Sequence, residues 1–116
     1  MNEFQLIKEI VSTLGDRAAG DWVSVGPGDD CSVVTVSPDC EVVSSIDSLV
    51  SGVHFPIDAA AELVGYRSLL VSLSDVSAMG ADPRYVLINL SLPFGYEQWA
   101  LDCARGMKNA AIDNHI

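Results

Sequence analysis

The chain has 116 residues, enough for one compact domain and too few for two, and 49% of them are hydrophobic, so a packed core is within reach and disorder is not. Sixteen acidic residues against six basic ones leave a net charge of −10, which excludes binding that depends on releasing counterions from DNA or RNA. Three widely spaced cysteines, Cys31, Cys40 and Cys103, form neither a metal pair nor a disulfide framework. No basic leader or membrane-length apolar run is present, and the chain reads as a cytoplasmic protein of one domain, 1–116, with no membrane partner.

In chain order, Asn2–Leu14 is expected to form an amphipathic helix. Ile7, Ile10, Val11 and Leu14 recur at helical spacing, Asn2 and Gln5 suit a capping box, and Gly15 suits the stop. A polar stretch leads to the loop Gly26-Pro27-Gly28-Asp29-Asp30. Two β-rich runs, Cys31–Val36 and Glu41–Ile46, are separated by Ser37-Pro38-Asp39, which predicts a hairpin. Ser48–Pro56 reads as loop. A long helix is expected from Asp58, as N-cap, to a stop at Gly80. Ala81-Asp82-Pro83 turns into a third strand, Tyr85–Leu92; Pro93-Phe94-Gly95 ends it, and Tyr96–Asn109 returns to helix with Trp99, Cys103 and Met107 on one face. Met79 and Trp99 read as core. The order α-β-β-α-β-α predicts an α+β fold, a mixed or antiparallel sheet with helices on one face. The sequence stops where another strand is expected, as a fragment would.

Three carboxylates stand in awkward places. Asp47 ends a β-rich run beside Leu49-Val50, Asp30 follows a Gly-Pro-Gly turn, and Asp75 lies inside the second helix among Val71, Ser72, Ala78 and Met79. A carboxylate on an apolar face needs a cation or hydrogen bonds. The basic supply is only Lys8, Arg17, Arg67, Arg84, Arg105 and Lys108, most of them on expected surface positions. Oxygen donors without His/Cys clusters suit Mg²⁺ rather than zinc, and Mg²⁺ held by few carboxylates commonly carries substrate phosphates. The plainer alternatives are turn formation for Asp29 and Asp30, loop capping for Asp47, and local hydrogen bonding for His54. No Walker-type or protein-kinase motif is present.

The blocks Gly28-Asp29-Asp30, Ile46-Asp47-Ser48-Leu49-Val50-Ser51-Gly52-Val53-His54-Phe55 and Leu73-Ser74-Asp75-Val76-Ser77-Ala78-Met79-Gly80-Ala81-Asp82-Pro83 resemble, in order and spacing, those of the thiamine-monophosphate kinase family. That resemblance implies the N-terminal domain of the aminoimidazole-ribonucleotide-synthetase-like fold, with its sheet dimerising into a barrel, so that a homodimer is expected. It implies transfer of the ATP γ-phosphate to thiamine monophosphate, giving thiamine diphosphate. Asp30, Asp47 and Asp75 would bind several Mg²⁺ ions, Ser45 and Ile46 would add oxygen ligands, and His54 would contact the substrate. No general base is assigned: a phosphate nucleophile is already anionic, and alignment with charge neutralisation suffices.

Two positions depart from the family pattern. Ile46 replaces a Thr and can offer only its carbonyl, and Ser72 replaces an Asn. The family's Gly-Gly-Asp-Thr block, with its ATP contacts, would follow Ile116, so the chain alone is expected to be inactive. The competing readings are another ATP-dependent enzyme of the superfamily, a selenophosphate or purine-biosynthesis synthetase, and a non-catalytic metal-binding dimerisation module.

Overall fold

In the computed structural model, which describes residues Met1–Ile116, the chain opens on the expected capping box. The Asn2 side chain accepts from the Gln5 amide and the Gln5 side chain accepts from the Asn2 amide, each at 2.9 Å. These bonds satisfy two of the amide donors that every helix start leaves free. Helix α1 spans Glu3–Leu14, and a 3₁₀ turn, Gly15–Ala18, follows it. There the Arg17 guanidinium donates to the carbonyl of Ile116 at 2.8 Å, tying the turn after the first helix to the end of the chain.

Strand β1, Val23–Val25, pairs antiparallel with β2, Val33–Val34, through an irregular register. The Thr35 amide extends the pairing by donating to the Trp22 carbonyl at 2.7 Å. This hairpin corrects two expectations. β1 went unread, because Val-Ser-Val between Gly20 and Gly26 is too short to show a period. The hairpin of Cys31–Val36 with Glu41–Ile46 is not formed: within the first run Val33–Val34 pair with β1 instead, and Glu41–Ile46 joins no ladder. Neither Glu41–Ile46 nor Tyr85–Leu92 enters a ladder, so the sheet of this chain has two strands rather than three or more. The α+β class stands, with three helices beside a small antiparallel sheet.

Helices α2, Ala61–Ala78, and α3, Glu97–Asp113, make the core. Ala61, Leu69 and Leu73 of α2 pack with Cys103, Met107, Ala110 and Ala111 of α3. The two helices touch backbone to backbone. A methyl built on Gly65 would collide with the Cys103 carbonyl, and one built on Gly106 would collide with the Glu62 carbonyl. Glycine at these crossing points allows an approach that no side chain would permit. Arg105 spans the same crossing, pairing with Glu62 at 3.3 Å and with Asp102.

The expected boundaries shift at α2 and α3. Asp58 is not the cap of α2: Pro56–Ala59 closes a separate turn, with the Ala59 amide on the Pro56 carbonyl at 3.0 Å, and Ala60 precedes the helix without a side-chain cap. α3 runs beyond Asn109 because Ala110 and Ala111 are themselves buried against α2. Trp99, Cys103 and Met107 do share the core face. Met79 does not belong to the core; it sits past the crossing at the end of α2 and is 72% exposed. No helix is long and apolar enough to cross a membrane.

Candidate metal and phosphate site

The site is built where the last turns of α2 meet the segment before the 50–56 loop. Ser72 and Asp75 stand three residues apart on α2, which places them on one helix face. The Ser45 hydroxyl donates to Asp75 Oδ2 at 3.2 Å, and the Ser72 hydroxyl donates to Asp47 Oδ2 at 3.5 Å. Each segment thus supplies one serine and one aspartate, and the two bonds cross. Ser45, Asp47 and Asp75 are brought together with Ile46 between the first two, so its carbonyl lies in the same stretch of chain.

Asp75 is exposed, as are Asp47 and Asp30. The burial cost inferred for Asp75 from its helical neighbours is therefore absent in the chain: its carboxylate points to water and to Ser45. What persists is the lack of positive partners. The chain's ion pairs both involve Arg105, and neither reaches any of the three aspartates. Two neighbouring carboxylates, two hydroxyls and a peptide carbonyl, with no imidazole or thiolate, form a donor set suited to a hard divalent cation.

Asp30 stands apart from this pair, since no three His, Cys, Asp or Glu side chains converge on one point. The turn residue in its loop is Asp29, whose Oδ1 accepts from the Asp30 amide at 2.8 Å. The Asp30 carboxylate accepts no hydrogen bond from the chain. The plain turn reading therefore holds for Asp29 and leaves Asp30 available.

His54 sits in a tightly closed loop. Its amide and that of Val53 donate to the Val50 carbonyl at 2.8 and 3.1 Å, and the Gly52 amide donates to Phe55 at 2.8 Å. Gly52 takes φ +76, a left-handed turn position that a side chain would strain. The Val50 amide donates to His54 Nδ1 at 2.8 Å. With Nδ1 accepting, a neutral imidazole carries its proton on Nε2, and that N–H is the free donor. Phe55 stacks on Trp99 of α3 at 6.3 Å between ring centroids, which pins the loop to the helical layer.

Two residues that the sequence reading did not assign to the site contribute to it. Ser72 was noted only as a replacement for Asn, yet it holds Asp47. Arg67, counted among surface cations, donates from Nη1 to the His54 carbonyl at 2.9 Å. Its helical position on α2 could have raised the question, but nothing in the sequence shows which loop lies opposite. A groove of about 590 Å³ lies away from Asp47 and Asp75. It runs from α1 past the 26–32 loop to residues 84–92; most of its lining is apolar, including Leu6, Ile10, Leu69 and Leu90, and Asp30 stands on its wall.

Comparison with known proteins places the chain in a family. The family model described as AIR synthase related protein, N-terminal domain, matches residues 28–116. A thiamine-monophosphate kinase of Escherichia coli (strain K12) is 40% identical over 97 residues, 84% of this chain and 29% of that protein. One from Haemophilus influenzae is 34% identical over 99 residues, covering 85% and 30%. The crystal structure of thiamine-monophosphate kinase from Stenotrophomonas maltophilia K279a superposes with a TM-score of 0.78 and 35% identity, over 98% of this chain and 35% of that one. The chain thus spans about a third of the length of the kinases it matches.

Proposed function

The chain belongs to the family of AIR-synthase-related N-terminal domains, and from its likeness to thiamine-monophosphate kinases we propose that its protein phosphorylates thiamine monophosphate to thiamine diphosphate, with ATP as donor. The crossed pair of Ser45–Asp75 and Ser72–Asp47 carries the reading. Two unpaired carboxylates held in register by hydroxyls are what a domain needs to hold Mg²⁺ against anionic phosphates.

In this reading Asp47 and Asp75 would hold Mg²⁺, Ser45 and the Ile46 carbonyl would add oxygen donors, and Asp30 would contribute a further carboxylate. Mg²⁺, when bound, neutralises charge between two repelling phosphate groups. The residues themselves orient: each serine holds its partner carboxylate in one rotamer, so less freedom is lost on binding. His54 presents Nε2–H to an oxygen of the thiamine phosphate. No side chain is asked to act as a base.

The same reading includes a homodimer in the cytoplasm. Val42, Val43 and Ile46, with Tyr85, Val86, Leu87 and Ile88, are all exposed large apolar side chains in the two β-rich runs left out of the ladder. Pairing of those runs with a second copy would bury them and supply the barrel that the fold family implies.

A chimera tests the activity directly. Residues 1–116 replace the matching segment of the Escherichia coli kinase, and thiamine diphosphate is measured with ATP and Mg²⁺. The chimera is expected to turn over, and its Asp75→Asn form to lose at least about a hundredfold in rate. A folded chimera that makes no thiamine diphosphate, or an Asp75→Asn form of unchanged rate, overturns the proposal.

A further inference from the structure

The loop that carries His54 closes on itself through short bonds that lie open to solvent, and exposed loop bonds open more readily than buried ones unless something outside the loop holds on. Two side chains do. Phe55 stacks on Trp99 of α3, fixing the loop's far end. Arg67 of α2 reaches the carbonyl of His54 itself, the residue whose ring is engaged with Val50. Arg67 has no carboxylate partner in the chain, whose ion pairs both belong to Arg105. The one side-chain hydrogen bond Arg67 makes goes to that carbonyl.

We infer that Arg67 is a positioning residue for His54: by holding the His54 carbonyl it keeps the 50–56 loop closed, keeps Nδ1 on the Val50 amide, and so presents Nε2–H outward as a donor. A hydrogen bond from a guanidinium is stronger than one between neutral groups. Lysine at this position can still reach a carbonyl, but as a point charge without the planar fork. The inference deepens the reading of His54 as a phosphate contact and rests on it only for the ligand, not for the loop.

The test has one arm for each. In the 116-residue chain, exchange of the Val50 amide is followed by NMR at about pH 8, where an ordinary histidine is neutral. Arg67→Met, which keeps the apolar stem, is expected to speed that exchange about fivefold while the α2 and α3 amides stay as they were, and Arg67→Lys to restore most of it. Val50 exchange unchanged in Arg67→Met, or an equal speeding of exchange spread over α2 and α3, overturns the inference.

In the second arm, thiamine monophosphate affinity is measured for the chimera with Arg67→Met, His54→Ala and both. Each single change is expected to weaken binding about fivefold to tenfold, and the double to be no weaker than His54→Ala alone, because Arg67 acts through His54. Losses that simply multiply in the double variant also overturn the inference. His54→Ala without effect overturns the substrate role of His54, and Val50 exchange then decides the role of Arg67 by itself.

Discussion

At the scale of single residues, the aspartates and Cys103 show how environment divides roles. Asp75 is exposed and bonded only to Ser45, so removing its charge costs the fold little. Asp75→Asn is expected to change unfolding free energy by less than about 0.5 kcal/mol while weakening Mg²⁺-dependent nucleotide binding at least about tenfold; calorimetry with and without Mg²⁺ measures both. Cys103 is the opposite case. It is 2% exposed, and burial pushes its thiol from 9.0 up to about 11. A raised value means the folded state holds the proton more tightly than the unfolded chain does. Below pH 9 this costs nothing; as pH rises from 9 to 11, stability falls by up to about 3 kcal/mol. Tyr66 adds in the same direction, since its hydroxyl must stay protonated to donate to Asp113 at 2.8 Å. Denaturant melts across that range should show the decline, and Cys103→Ala should flatten much of it. With thiol reagents at neutral pH, exposed Cys31 and Cys40 should react on the order of a hundredfold faster than Cys103.

At the scale of elements, what could be read from the sequence was what the backbone decides locally. The capping box of α1, the body of α2 and the core face of α3 follow from short-range rules and stand where the sequence puts them, while the start of α2 and the end of α3 shift. The expected hairpin is absent, because strand pairing depends on which partner lies alongside in space, and Val33–Val34 pair with Val23–Val25 rather than with Glu41–Ile46. The site divides in the same way: Asp47 and Asp75 stood out by type and setting, whereas Ser72 and Arg67 acquire roles only through what lies across space. The crossing of α2 and α3 was equally invisible. Nothing in Gly65 or Gly106 announces a partner far along the chain; only the packed helices show that a methyl at either would meet a carbonyl, that of Cys103 or of Glu62. Gly65→Ala and Gly106→Ala should each cost about 3 kcal/mol by forcing the helices apart, although alanine raises helix propensity by about 1 kcal/mol over glycine at both sites. Thermal melts decide: a gain in stability in either variant would mean the helices are not in backbone contact.

At the scale of the whole molecule, the balance between charge and apolar surface sets the state in solution. A net charge of −10 on 116 residues opposes self-association. Against it stand two runs of exposed apolar side chains with no ladder partner; Leu87 is 80% and Ile46 92% exposed. Such runs are open edges for pairing with another chain. If a second copy covers them, burial of a leucine-sized side chain contributes about 2 kcal/mol per site, enough over several residues to outweigh repulsion that salt screens within about 10 Å. The chain should therefore sediment as a dimer, more firmly at 0.15 M salt than at a tenth of that. Leu87→Lys adds positive charge to a negative molecule, which by charge alone would ease association. It should nevertheless shift the chain to monomer with its helical circular dichroism unchanged, because Leu87 touches little within its own chain. A monomeric parent at every salt concentration, or a Leu87→Lys variant that dimerises as well as the parent, would rule out pairing through the Tyr85–Leu92 run.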